Sequence, residues 1–92
     1  MSANFLHYEI WTKSGDVIHV TLLGSAANVL LLNDVNFQNY RSGKRFQYFG
    51  GYYEQSPVVL NSPSPGKWHV VIDTGGRPGH LTAAVRVVSS YG

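Results

Sequence analysis

The densest group of chemically capable side chains in this sequence lies between positions 40 and 53. The segment is Tyr-Arg-Ser-Gly-Lys-Arg-Phe-Gln-Tyr-Phe-Gly-Gly-Tyr-Tyr, which places six aromatic and three cationic residues within fourteen positions. Aromatic faces beside cationic groups can stack on bases or sugars and hold phosphates. The segment therefore predicts a recognition surface for an anionic small ligand or a protein partner. The candidate residues are Arg41, Lys44, Arg45, Tyr48, Tyr52 and Tyr53.

The same segment also fits a simpler structural interpretation. Alternation along a strand would place Phe46 and Tyr48 on one face and Arg45, Gln47 and Phe49 on the other. The aromatic residues would then belong to the core, and the cations would discourage pairing at an exposed sheet edge. The sequence leaves both interpretations open.

Other residues that could do chemistry are scattered. None of the four histidines has a second histidine two or four positions away, and no pair of carboxylates is recognisable from its spacing. A Gly-x-Ser-x-Gly turn is absent from the sequence, and so is cysteine. We therefore expect no enzyme activity, no bound metal and no cofactor. The least favoured of three hypotheses is a hydrolase or metal enzyme built from His69, Asp73 and His80. The other two hypotheses are non-enzymatic.

The composition predicts one folded domain, residues 1–92. Apolar residues make up 43% of the 92, and charged residues only 13%, which is about half the share of an average domain. So little charge suggests that some outward faces are covered by a second layer or by another chain. No signal peptide or membrane-spanning run is visible, so the expected location is the cytoplasm and no membrane partner is expected.

Alternating β-branched and apolar residues predict strands along most of the chain. The stretch 66–88 is interpreted as two neighbouring antiparallel strands, with Trp68 as its largest buried side chain. Residues 28–33 predict a third strand, and because its core, residues 29–32, is apolar on both faces, this strand is expected to be central and covered on both sides. Asp34 could cap a short helical turn, and strand character returns at residues 44–49. The fold class is all-β: a single-domain antiparallel β-sandwich, jelly-roll-like, of seven to eight short strands, with at most one short helical turn near 34–41.

Three stretches of the chain together resemble a small bacterial all-β family of unknown function, whose members occur alone or attached to TIR domains. The resemblance implies a compact β-sandwich and supplies no reaction, cofactor or site residue. Attachment to TIR domains would suit a sensing or recruiting module. The stretches are Asn28-Val29-x-Leu31-x-x-Asp34-x-Asn36-Phe37-x-x-Tyr40-x-x-Gly43, Phe46-x-Tyr48-x-Gly50-Gly51-Tyr52 and Pro63-x-x-Gly66-x-Trp68-x-Val70-x-x-Asp73-x-Gly75-Gly76.

The leading hypothesis is thus a non-enzymatic binding module that works in bacterial signalling or defence. Its expected partner is a small anionic ligand or a protein, and a nucleic acid is less favoured without being ruled out. The alternative is a structural or oligomerisation domain that forms a homo-oligomer. The low charge and the outward positions of Val71 and Ala84 in the predicted strands motivate that alternative.

Overall fold

The chain folds into seven strands and one helix in a computed structural model that describes residues 5–76 and 80–89. All strand pairs are antiparallel, which confirms the predicted all-β sandwich. One sheet has the strand order β1-β6-β3-β4 and the other β5-β2-β7. The elements are β1 (Leu6–Thr12), β2 (Val17–Gly24), β3 (Ala27–Leu32), α1 (Asp34–Arg41), β4 (Phe49–Tyr53), β5 (Val58–Asn61), β6 (Gly66–Asp73) and β7 (Leu81–Val88).

The main core lies between the two sheets and is built by strict alternation. Every second residue of β2, β3 and β6 points into it, as the period of two in the sequence predicts. Trp68 is the largest of these side chains and is only 7% exposed, so its predicted place between two layers is confirmed. The buried members are Ile18, Val20, Ala27, Val29, Leu31, Val58, Leu60, Trp68, Val70 and Ile72.

The predicted pairing of the last two strands is wrong. β6 lies between β1 and β3, whereas β7 is an edge strand of the other sheet and pairs with β2. The two strands differ in their burial, because β6 is buried on both faces and β7 on one. Alternation assigns the faces of a strand but not the strands that pair with it. Residues 74–79, which contain three glycines and a proline, are typical of a turn or loop and therefore favoured direct pairing of the two strands. Residues 77–79 of this connection lie outside the described residues.

A second cluster covers the opposite face of the four-stranded sheet. Leu30, Leu32 and Val71 point away from the main core and pack against Phe37 of α1. The prediction that residues 29–32 form a central strand covered on both sides is confirmed. Val71, which was expected to be on an outward face, is fully buried beneath the helix, so it contributes nothing to an exposed surface.

The helical turn expected near 34–41 is a helix of eight residues. Its N-cap is Asn33, which accepts a hydrogen bond from the backbone N–H of Asn36, rather than Asp34 as predicted. Asp34 is instead the first helical residue and Arg41 the last, and both charges favour the helix dipole.

The strand predicted at residues 44–49 is wrong for most of its length. Residues 44–48 are irregular, and β4 begins at Phe49. The backbone N–H of Gln47 donates to Asn36 Oδ1, 2.9 Å away, so this segment is bound to the helix rather than to a neighbouring strand. Gly50 and Gly51 lie inside β4.

Gly50 occupies a position that only glycine fits. Its φ is +120°, and a Cβ built there would lie 2.0 Å from the carbonyl oxygen of Val29 on the paired strand. Gly51 has no such constraint, since a Cβ at that position would meet nothing within 4 Å. The same substitution can therefore be compared at a constrained position, Gly50, and at an unconstrained position next to it, Gly51.

We expect Gly50→Ala to destabilise the domain by at least about 2 kcal/mol, because backbone strain is added to a clash that β3 cannot relieve. Gly51→Ala should change stability by less than about 1 kcal/mol. Urea unfolding followed by tryptophan fluorescence measures both, with the midpoint compared at constant slope. Equal midpoints for the two variants would contradict the described pairing of β3 and β4.

Candidate functional site

One end of the sandwich opens into a groove lined by aromatic rings. It forms where β3 leads into α1, where β4 and β6 begin, and where the loop before β6 passes. Its volume is about 640 Å³, within the usual range for small-molecule pockets. We call it the aromatic groove, and its lining residues are Leu31, Asn33, Asn36, Phe46, Gln47, Tyr48, Phe49, Pro63 and Trp68.

The floor of the aromatic groove is held rigidly. The indole N–H of Trp68 donates to the carbonyl of Ser64, 2.9 Å away. The ring of Phe49 meets the indole edge to face, with centroids 6.1 Å apart and planes 78° apart. Phe49 nonetheless remains 53% exposed, and Tyr48 beside it 48%. The groove therefore presents a fixed apolar floor with two rings open to solvent.

The rim of the aromatic groove carries carboxamides. Asn33 Oδ1 accepts hydrogen bonds from the backbone and side-chain N–H groups of Asn36. Asn36 Oδ1 in turn accepts from the backbone of Gln47, so helix and segment hold each other in place. Among the described contacts, none engages the side-chain amide of Gln47, which is exposed. That amide is available to a polar ligand.

The residues predicted from the sequence are only partly brought together. Tyr48 lines the aromatic groove, and Lys44 and Arg45 are exposed on the irregular segment that leads into it. Tyr52 is exposed on β4, and Tyr53 packs half-buried against the main core.

Arg41 lies in a different groove, where its guanidinium carbon is 5.6 Å from the centroid of the Phe37 ring. Trp68 was predicted only as a core residue, and no binding role was predicted for Asn33, Gln47 or Phe49. The run of asparagines around the helix was the one signal that could have located the polar rim.

A second groove lies between α1 and the outer faces of β1 and β6. It has a volume of about 680 Å³. We call it the histidine groove, and its lining residues are Phe5, His7, Glu9, Asp34, Phe37, Gln38, Arg41, Lys67 and His69. Register explains why the polar residues meet here: Glu9 pairs directly with His69, and His7 lies two residues further along β1 on the same face.

A chain of hydrogen bonds runs through the histidine groove. His69 is only 3% exposed, and its Nε2 lies 2.5 Å from Asp34 Oδ1. Because a carboxylate only accepts, this nitrogen carries the proton, and Nδ1 of the neutral ring is an acceptor. His7 Nε2 then donates to His69 Nδ1, 2.8 Å away. The ring of Phe37 stacks on both imidazoles, with centroids 4.1 Å from that of His7 and 4.4 Å from that of His69.

The charges of the histidine groove are set by these contacts. Although His7 is largely exposed, the partial desolvation of its ring lowers its pKa below the ordinary value of 6.5, and the neighbouring His69 lowers it further. The hydrogen bond from His69 is the main reason that the pKa of Asp34 lies below its ordinary 3.8. Near neutral pH, His7 is therefore mostly uncharged and Asp34 is ionised. Lys67 Nζ lies 3.7 Å from carboxylate oxygens of both Glu9 and Asp34, and so neutralises part of the negative charge.

A protein-family model described as "Domain of unknown function (DUF1883)" matches residues 3–91. The chain belongs to this family. The match agrees with the resemblance to a small domain of unknown function, and it assigns no activity. No curated protein and no solved structure matches the chain. Within the described residues, no helix is long and apolar enough to cross a membrane.

His69, Asp73 and His80 do not form one site. Asp73 lies four positions after His69 on β6, so their Cα atoms are about 13 Å apart at the rise of a strand. Asp73 accepts instead from the Tyr40 hydroxyl, at 2.6 Å, and from Asn28 Nδ2, at 3.0 Å. His80 precedes β7 in the other sheet. Catalytic partners must reach hydrogen-bond contact, so the geometry rules out this triad.

Both ends of α1 are thus tied to β6. Asp34 in its first turn bonds His69, and Tyr40 in its last turn bonds Asp73. Burial raises the pKa of Tyr40 well above its ordinary value of 10.0, and the hydrogen bond to Asp73 raises it further. The folded state therefore favours the neutral phenol, and the stabilisation is lost as the pH rises beyond 10.

We expect Tyr40→Phe to lower the free energy of unfolding by about 1–2 kcal/mol at neutral pH, because Asp73 loses its phenolic donor. The difference between wild type and variant should shrink above pH 10, where the unfolded phenol ionises and the wild type alone is penalised. Urea unfolding between pH 7 and 11 measures this. Tyr48→Phe is the matched control, since the described part of the chain shows no hydrogen bond from Tyr48. A pH-independent difference for Tyr40→Phe would contradict the assignment.

Proposed function

We propose that this domain is a non-enzymatic binding module whose aromatic groove receives the planar ring of a small anionic ligand of the nucleotide class. The observation that carries the proposal is the pair of exposed rings, Tyr48 and Phe49, beside a floor built on Trp68. A ring that stacks there removes apolar surface from water, which contributes about 1–3 kcal/mol for each stacked base. The rigid floor lowers the entropic cost of binding, because the Trp68 ring is already fixed by its hydrogen bond and by its contact with Phe49.

The polar rim favours a planar ligand with hydrogen-bonding edges. The free carboxamide of Gln47 offers both donors and an acceptor, as the edge of a nucleobase does. A purely apolar ligand would leave these groups unpaired, at a cost in affinity. The rim therefore supports a base or a similar heterocycle over an aliphatic ligand.

The anionic part of the ligand is inferred from Lys44 and Arg45. Both side chains are exposed at the start of the segment that continues into Phe46, Gln47 and Tyr48. Ion pairs within the described residues involve Lys67 and His69 rather than these two cations. Unpaired cations next to stacking rings suit a phosphate attached to a base.

The biological setting follows from the resemblance and not from the groove. A small all-β family that occurs alone or attached to TIR domains would suit a bacterial cytoplasmic module that senses a nucleotide signal or recruits a partner. Under this proposal the aromatic groove is the sensing surface, and a protein partner would recognise the occupied domain.

A thermal-shift screen with nucleoside mono-, di- and triphosphates, cyclic nucleotides and other anionic metabolites tests the proposal. We expect at least one nucleotide to raise the melting temperature, and calorimetry to give a measurable affinity. Phe49→Ala and Tyr48→Ala should each weaken that affinity about tenfold, since each removes one stacking ring. Lys44→Ala combined with Arg45→Ala should weaken binding and reduce its salt dependence.

Trp11→Ala is the matched aromatic control. Trp11 is 70% exposed on β1 and does not line the aromatic groove, so its removal should leave the affinity unchanged. The proposal is wrong if no compound shifts the melting temperature. It is also wrong if the Phe49 and Trp11 variants lose the same amount of affinity.

The outer face of the three-stranded sheet favours a second candidate function, assembly with another copy of the chain. Val59, Thr21 and Ala84 are exposed there, and Arg86 is the one formally charged residue that the described strands place on that face. A low density of charged residues is typical of the centre of surfaces that another chain covers.

Sedimentation velocity at about 50 µM tests this second candidate, since a stable interface should hold at that concentration. We expect a dimer that Ala84→Glu converts to monomer, because two like charges would face each other across a two-fold interface. Val35→Glu places the same charge on an exposed position of α1 and should leave the dimer intact. A wild-type monomer would eliminate this candidate and leave ligand binding unaffected.

A further inference from the structure

We propose that His7, Glu9 and His69 bind a divalent transition-metal ion, such as Zn²⁺, in the histidine groove, with Asp34 as the residue that positions His69. One ligand atom from each of the three side chains lies within 4.8 Å of the other two. Two imidazole nitrogens and a carboxylate oxygen are a donor set that Zn²⁺ prefers. The site is separate from the aromatic groove, with which it shares no lining residue.

The scaffold of this site is rigid because it comes from paired strands. β1 and β6 are hydrogen-bonded neighbours, and their register sets Glu9 opposite His69. His7 lies two residues from Glu9 and therefore projects from the same face. Three donors thus converge from two adjacent strands without any contribution from a loop.

Asp34 fixes the ring of His69 in the orientation that a metal ligand needs. Its carboxylate accepts from Nε2, which leaves the lone pair of Nδ1 pointing at His7. Phe37 stacks on the same ring with planes 9° apart and prevents rotation. Metal-bound histidines typically donate their other nitrogen to a carboxylate in this way, and the partner tunes affinity by 10- to 100-fold.

The distances require His7 to move. Tetrahedral bonds of about 2.0–2.1 Å to zinc would separate the two nitrogens by about 3.3 Å, against the 2.8 Å between them here. Because the lone pair of His69 Nδ1 points at His7 Nε2, that nitrogen must also leave the line of the hydrogen bond, a displacement of about 2 Å for a tetrahedral ion. His7 is exposed and can make this movement by rotating its side chain, while His69 stays fixed. Binding also moves the proton of His7 from Nε2 to Nδ1, which faces away from His69, so no net proton is released. Glu9 exchanges its weak 3.7 Å contact with Lys67 for the metal.

The surrounding charges limit the affinity. Glu9 and Asp34 contribute two negative charges, whereas Lys67 and Arg41 also line the groove and oppose a cation. Three protein donors leave a fourth coordination position for water or an exogenous ligand. We therefore expect micromolar binding of an exchangeable ion, weaker than that of a structural zinc site.

Cobalt titration of the tag-free full chain, after treatment with a chelator, tests the proposal. Co²⁺ should bind with 1:1 stoichiometry and give visible d–d absorption, and Zn²⁺ should displace it. His7→Ala and Glu9→Gln should each weaken binding at least tenfold. Both residues are exposed, so these variants should still fold, which circular dichroism verifies. Asp34→Asn keeps all three ligands and should weaken binding about 10- to 100-fold.

His19→Ala is the matched control, because His19 lies on the outer face of the other sheet. It should leave the cobalt affinity unchanged. The proposal is overturned if Co²⁺ shows no saturable binding with a Kd below about 1 mM. A Kd of that size corresponds to about 4 kcal/mol of binding free energy. It is equally overturned if His7→Ala binds Co²⁺ as tightly as His19→Ala does.

Discussion

The burial of β6 on both faces is the constraint on which the rest of this fold depends. Its inward residues fill the main core, and its outward residue Val71 packs with Leu30, Leu32 and Phe37 beneath α1. Each such side chain contributes about 1.5–3 kcal/mol when fully buried. Four of them are therefore comparable with the whole net stability of a small domain, about 5–15 kcal/mol. Removing the helix would expose the centre of the sheet, so α1 is as much a part of the fold as any strand.

The two grooves are consequences of how this helix is attached. An eight-residue helix is about 12 Å long, too short to cover the four-stranded sheet from edge to edge. On one side it leaves the histidine groove beside β1, and at its start it leaves the aromatic groove where residues 44–48 double back to Asn36. Asp34 and Phe37 belong to the first groove and Asn36 to the second. Both candidate sites therefore lie on parts of the chain that the second core holds in place.

The sequence was sufficient to predict which face of a strand each side chain occupies, but not which strands pair with each other. Alternation correctly predicted that Trp68 points into the core, since side-chain direction is a local property. The pairing of β6 with β1 and β3 depends on which face α1 covers, and that contact joins residues far apart in sequence. The same limit applied to the sites. His7 and His69 are 62 positions apart, so no spacing rule could join them, whereas Tyr48 and its cationic neighbours are close together in the sequence and could be proposed from it.

The acidic side chains form their contacts with groups other than Lys44 and Arg45, the two cations in the segment beside the aromatic groove. The chain has five acidic side chains, and four of them are engaged in specific contacts. Glu9 pairs with Lys67, Asp16 with the backbone of Lys13, Asp34 with His69, and Asp73 with Tyr40. None of these four contacts involves Lys44 or Arg45, and the ion pairs of the described residues do not include either cation. Under the proposed function, these two side chains would attract an anionic ligand towards the stacking rings.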